Sequence, residues 1–145
     1  MYHAIVRAKV RALWQRISSG DYEAAVGLAA PDVHFRFVGP PPVGADLRGR
    51  EAFATWFGRL SELIPGMRMS VRDVWVGGWP WRTRVTVHLG IEATLADGTA
   101  YTNEAVQCVR LRWGRMVEDF VFEDTARLAD AVRVQQQSSA PLSRQ

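Results

Sequence analysis

The stretch 84–93, "RVTVHLGIEA", decides how this chain folds. Val85, Val87, Leu89 and Ile91 alternate with Thr86, His88, Gly90 and Glu92, the two-residue period of a β-strand with one apolar and one polar face. The pattern extends over 81–95, and similar runs occupy 67–76, 100–113 and 115–123. Only the turn signals "GGWP", "ADG" and "WGR" separate them, so the four strands form an antiparallel meander.

Helical patterns precede the meander. Val6, Val10, Leu13, Trp14 and Ile17 make one apolar stripe along 4–18, and Gly20 ends it. Asp21 is placed to cap a short helix, "YEAAVGLAA", that Pro31 closes. "VHFRFV" reads as a strand over 33–38, and "GPPPVGADLRG" as a loop. In "REAFATWFGRLSELI", Phe53, Trp56, Phe57, Leu60 and Ile64 keep the spacing of a buried helical stripe, which Pro65-Gly66 terminates. Residues 125–134 form a closing helix capped by Asp124 or Thr125. Helices followed by a meander mean an α+β fold. Three helices cannot cover four long strands laid flat, so the expected shape is a cone-shaped curved sheet wrapped around the N-terminal helices, with a cavity inside.

The 145 residues fit a single domain over 1–134, with a polar, disordered tail over 135–145. The net charge is +3, and all basic residues except Lys9 are arginine. The arginines are spread along the chain, with no basic run and no nucleic-acid-binding signature, which argues against a nucleic-acid partner. One cysteine, Cys108, excludes an internal disulfide framework and suits a reducing, cytoplasmic setting. No secretory leader is evident, and no apolar run approaches the ~20 residues that span a bilayer, so no membrane partner is expected. His3, His34 and His88 lack metal-ligand spacing, and no phosphate loop or dinucleotide fingerprint is present; neither a metal nor a cofactor is expected.

The order helix, "SGDYEAAVGLAAPDVHF", Gly/Pro loop, "LRGREAFATWF", then a meander ending "GRMVEDFVFEDT" resembles the SnoaL-like proteins of the nuclear transport factor 2-like superfamily over about residues 4–134. That group includes polyketide cyclases, ketosteroid isomerases and limonene epoxide hydrolases. The ketosteroid isomerase base falls at Phe37, its oxyanion-hole tyrosine at Leu13 and its protonated aspartate at Gln107. Neither Phe37 nor Leu13 can move a proton, so that mechanism is not expected. The epoxide hydrolase Arg-x-Asp motif falls at His88 and Gly90, and its second aspartate at Val121, where the cyclase acid/base aspartate falls as well.

The resemblance directs His88, Gly90 and Glu92 into the cone, with Asn103, Ala105 and Gln107 from the next strand and Asp119, Val121 and Glu123 from the last. Val85, Val87, Leu89 and Ile91 then lie on the convex face beside Val106, Cys108, Phe120 and Phe122. An exposed apolar sheet face needs a cover, and a second copy of the chain supplies one, so a homodimer is expected.

His88 is the leading candidate for proton transfer, because imidazole changes charge near neutral pH; otherwise it bonds a neighbour on a polar strand face. Asp119 joins it as a candidate catalytic group, orienting the imidazole as Glu92 would; either carboxylate can instead pair with an arginine. Asn103 and Gln107 either meet a polar ligand or build an internal network. Trp14, Phe37, Trp56, Gly90 and Val121 complete the candidate ligand-binding set, the aromatics doubling as core. The expected function is binding of a small, partly apolar molecule in the cone, with cofactor-independent isomerisation, cyclisation or hydrolysis. The alternative is a non-catalytic ligand-binding or protein-interaction dimer.

Overall fold

The computed structural model describes residues 1–138. In chain order the elements are α1 (Tyr2–Ser18), α2 (Glu23–Leu28), β1 (Ala29–Val38), β2 (Ala45–Arg48), α3 (Arg50–Leu63), β3 (Arg68–Trp79), β4 (Arg82–Thr94), β5 (Ala100–Arg112), β6 (Arg115–Glu123) and α4 (Thr125–Ser138). The strands form one curved sheet in the order β2-β1-β6-β5-β4-β3. All neighbours are antiparallel except β1 and β6, which run parallel.

Several boundaries differ from the sequence expectation. β1 starts at Ala29, so Pro31 lies inside a strand rather than closing α2; the β1–β6 register shifts between Ala29 and His34, an irregularity that tolerates a residue without an N–H. The Gly/Pro loop contains the short edge strand β2. No side-chain hydrogen bond caps α2, and Asp21 instead accepts from Arg16 at 2.8 Å. Asp124 does cap α4, its Oδ1 accepting from the Arg127 amide at 3.2 Å. α4 runs on to Ser138, so residues 135–138 are helical; the rest of the expected tail lies outside the described residues.

The main correction concerns β4. Val85, Val87, Leu89 and Ile91 are almost fully buried beneath α1 and α3, whereas His88 and Glu92 lie on the outer face. Pair register is the reason: residues directly opposite in an antiparallel pair share a face, and Val87 opposes Gln107 while Leu89 opposes Ala105. Sending Gln107 inward therefore sends Val87 inward. The energetics agree, since each large aliphatic side chain left in water forfeits about 1.5–3 kcal/mol. The β5 and β6 faces follow expectation: Asn103, Ala105, Gln107 and Asp119 are buried, and Val106 and Phe122 are exposed.

An aromatic cluster joins β1 to α3 within the core. Phe35 packs on Phe53 and Trp56 at ring distances of 5.0 and 4.5 Å, and Phe37 on Trp56 at 5.3 Å. Trp56 Nε1 donates to Val43 O at 2.9 Å, tying the Gly/Pro loop to α3. At the other end of the sheet, Thr83 donates to Trp79 O at 2.8 Å and accepts from the Tyr2 hydroxyl at 2.5 Å, which pins the start of α1 to the β3–β4 hairpin. Among the described residues no helix is long and apolar enough to cross a membrane.

Candidate functional site

The concave face of the sheet and the helices enclose two small apolar cavities, each of about 50 Å³. One lies among α1, α2 and the hairpin ends of β4–β6, with Val10, Leu28, Val85 and Leu111 in its wall. The other lies under α3 and is lined by Phe35, Phe37, Trp56, Met69, Ile91, Val121 and Glu123, among others. Trp14, Phe57, Gln107 and Asp119 line both, so these four side chains form the septum. Outside the second lobe, between α1 and β3, is a wider open groove of about 500 Å³; it shares Trp14 and Met69 with that lobe.

The polar part of the septum is a chain of three residues. Trp14 Nε1 donates to Gln107 Oε1 at 3.2 Å, and Gln107 Nε2 donates to Asp119 Oδ1 at 2.9 Å. Indole nitrogen can only donate, which fixes the amide's orientation and turns its NH₂ toward the carboxyl. Among the described residues Asp119 Oδ2 has no hydrogen bond, yet no fully enclosed side-chain oxygen or nitrogen there lacks a partner. Oδ2 therefore opens on cavity space. Asp119 is 2% exposed, and burial pushes its pKa up to about 7, against a smaller lowering by the Gln107 bond.

Glu123 stands four residues further along β6, on the same face, in the wall of the second lobe. Burial raises its pKa to about 8, and the neighbouring Asp124 adds to the rise. The spacing from Asp119 marked this second carboxyl in the sequence, since residues i and i+4 of a strand share a face. Beside it, Asn103 Nδ2 donates to the Tyr101 hydroxyl at 2.8 Å and to Asp124 O at 3.0 Å, so Asn103 serves a structural network at the β5–α4 junction.

The remaining candidates divide clearly. Trp14, Phe37, Trp56, Gln107, Asp119 and Val121 converge on the cavities. His88, Gly90 and Glu92 do not. His88 Nε2 lies 3.4 Å from Glu104 on the outer face, and Glu92 lies 3.8 Å from Arg68, its opposite number on β3. His88 is thus neither near Asp119 nor oriented by Glu92. Gly90 has a packing role: a Cβ there would stand 2.6 Å from Arg72 Nε, and the bare backbone lets Arg72 cross β4 to reach Glu104 at 2.7 Å. Among the described residues, no group of three or more His, Cys, Asp or Glu could hold a metal ion.

A family model described as a SnoaL-like domain matches residues 10–119, which span α1 to the septum carboxyl. The chain belongs to the SnoaL-like family. Solved structures share the nuclear transport factor 2-like fold. TerC, co-crystallised with polyporic acid, is 21% identical with a TM-score of 0.74, over 88% of this chain and 97% of that one. A nuclear transport factor 2-like protein of unknown function from Burkholderia pseudomallei is 22% identical with a TM-score of 0.75, over 87% and 95%. IdmH, a candidate polyketide cyclase from Streptomyces antibioticus, is 22% identical with a TM-score of 0.70, over 88% and 98%. No curated protein sequence matches this chain.

Proposed function

We propose that this SnoaL-like chain binds a small, largely apolar molecule in the two-lobed cavity and that Asp119 exchanges a proton with it. The observation that carries this reading is the buried Asp119 carboxyl, with one oxygen held by Gln107 and the other open to the cavity. With a pKa near 7, the group is present in both protonation states at neutral pH, which is what general acid or base work requires. Gln107 holds Oδ1, so transfer runs through Oδ2. Apolar walls on both sides keep bulk water from competing for the proton. The chemistry that fits is isomerisation, cyclisation or hydrolysis through a proton removed from or given to carbon or oxygen.

The cavities are well below the ~300–1,000 Å³ of typical ligand pockets. A ligand larger than a few atoms must therefore displace the Trp14 or Phe57 side chains of the septum. The groove beside Trp14 and Met69 is the natural route in. TerC was crystallised with polyporic acid and IdmH is a candidate polyketide cyclase, so flat aromatic polyketide-like molecules are the ligands to test first. On the outer face, Trp75, Val106 and Phe122 remain exposed; Cys108 and Phe120 continue the cross-strand row of Trp75, beside the row of Val106 and Phe122. We infer that a second copy of the chain covers this face.

The test is a thermal-shift screen with polyporic acid and related aromatic polyketides, followed by turnover assays of ligands that bind. The expected result is a raised Tm, with turnover that Asp119→Asn abolishes while binding survives. Binding without turnover in the native chain would transfer the cavity to a carrier role. Failure of every such ligand to raise the Tm would sink the proposal.

A further inference from the structure

At one end of the sheet the β3–β4 and β5–β6 turns lie side by side, joined by a hydrogen bond from the Trp113 amide to Pro80 O at 2.7 Å. Each presents tryptophan to solvent: Trp79, Trp81 and Trp113 are 65%, 55% and 67% exposed. Trp79 and Trp81 stack at 6.0 Å and 13°, and Trp113 leans on Trp81 at 6.1 Å. None of the three belongs to the core cluster. Trp113 moreover has φ 51, followed by Gly114 at φ 80. A two-residue turn with both φ positive favours Asn-Gly, and a bulky residue at its first position is strained. A large apolar ring is thus held in water, in an unfavourable backbone state, at the tip of the molecule.

The charges next to these rings in sequence are positive, and Glu118, further along β6, is held by Arg110 at 3.0 Å. Arg82, Arg112 and Arg115 flank them, all exposed, with no ion pair among the described residues. No Asp or Glu occurs in 74–91, in 105–117, or in α1, whose start is bonded to the same hairpin. We propose that this tip docks the protein on an anionic lipid bilayer, the three indoles settling at the headgroup level and the arginines facing lipid phosphates. Indole prefers the membrane interface, where its ring is dry and its N–H stays wet. Basic side chains beside it select anionic lipid. A single-stranded nucleic acid would need open ring faces along a groove, whereas Trp79 and Trp81 stack on each other in a compact knob. Such docking is peripheral and needs no membrane-spanning helix.

The experiment is flotation of the full chain with large unilamellar vesicles of phosphatidylcholine alone and of equimolar phosphatidylcholine and phosphatidylglycerol. Binding is expected to the anionic vesicles, on the order of a hundredfold tighter than to the neutral ones for three arginines at the surface, and to weaken as salt rises. Vesicles with brominated acyl chains should quench tryptophan emission. Trp113→Asn puts the residue this turn prefers at its tip, so it should keep or raise the Tm while weakening vesicle binding about tenfold. The Arg112→Glu/Arg115→Glu variant should lose the preference for phosphatidylglycerol. No flotation with anionic vesicles at low salt would overturn the proposal, as would unchanged binding in Trp79→Ser/Trp81→Ser/Trp113→Asn. Preferential binding of a single-stranded oligonucleotide, or dimerisation that the triple variant abolishes, would reassign the tip and overturn it too.

Discussion

Gln107 and Asp119 sit on adjacent strands, displaced by one pleat, and the 2.9 Å bond between them is the only hydrogen bond to the Asp119 side chain among the described residues. Burial outweighs that bond, so the folded protein holds the Asp119 proton up to about pH 7, against 3.8 for the ordinary group. Between those values the native state binds more protons than the unfolded chain. Stability from this group is therefore fully present below about pH 4, declines as pH rises, and is gone above about pH 7. Glu123 acts with the same sign up to about pH 8. Asp119→Asn cannot ionise and so should remove one of the two losses, raising stability at pH 8 by on the order of 2–4 kcal/mol while leaving pH 4 little changed. Urea melts of both proteins across that range measure it; a variant no more stable than the parent at pH 8 contradicts the buried-acid account.

Gln107→Leu tests the same contact from the other side. Leucine leaves Trp14 Nε1 and Asp119 Oδ1 without partners, at a cost of about 1–3 kcal/mol for each polar group left buried. Because the Gln107 bond lowers the Asp119 pKa, its loss should move that pKa upward. Carbon-detected titration of the Asp119 carboxyl reads the shift directly, and an unmoved midpoint would separate Gln107 from the acid.

Much of this arrangement is legible in the sequence, and the failures have identifiable causes. The meander is visible because its turns are short and glycine-rich, and the buried stripes of α1 and α3 because aromatic and aliphatic residues recur at helical spacing. Asp119 and Gln107 reach the cavity as their parity implied. His88 did not, because alternation tells that two faces differ and not which face is inside. That choice is made by pairing, and β4 opposes β5 with Val87 against Gln107. The apolar row was itself the better guide, since the concave wall is mostly apolar. The Trp14–Gln107 link carries no sequence signal: its partners are 93 residues apart and meet only through tertiary packing.

The outer location of His88 makes a sharp prediction. His88→Ala should leave ligand binding and any turnover in the cavity intact, and should change stability by no more than about 0.5 kcal/mol, as for most surface changes. Gly90→Ala should displace the flexible end of Arg72 and break its bond to Glu104, costing at most about 1 kcal/mol for an exposed pair. Loss of activity in His88→Ala would return the histidine to the site.

The outer apolar face predicts self-association. Val106 and Phe122 are opposed across β5 and β6, both exposed, with His88 opposite Val106 on β4. If a second copy covers them, Val106→Glu buries a charge in the interface and should drive the protein to a monomer in sedimentation experiments, without unfolding it. A native chain that sediments as a monomer at micromolar concentration would refute the interface.

The aromatic core should be the least forgiving part of the structure. Phe35 is 1% exposed and packs between Phe53 and Trp56, while it also forms part of the wall of the second cavity lobe. Phe35→Ala removes most of a ring from a site where β1 and α3 are both fixed, so the neighbours relax only partly. The expected loss is about 3–5 kcal/mol, a large share of the stability of a domain this size. The void should also enlarge the second lobe. A calorimetric scan should show a Tm lowered by more than about 10 °C, and small apolar ligands should recover part of that loss by filling the space. A Tm within a few degrees of the native value would mean that the cluster is loosely packed, and that the cavity can open without the septum moving.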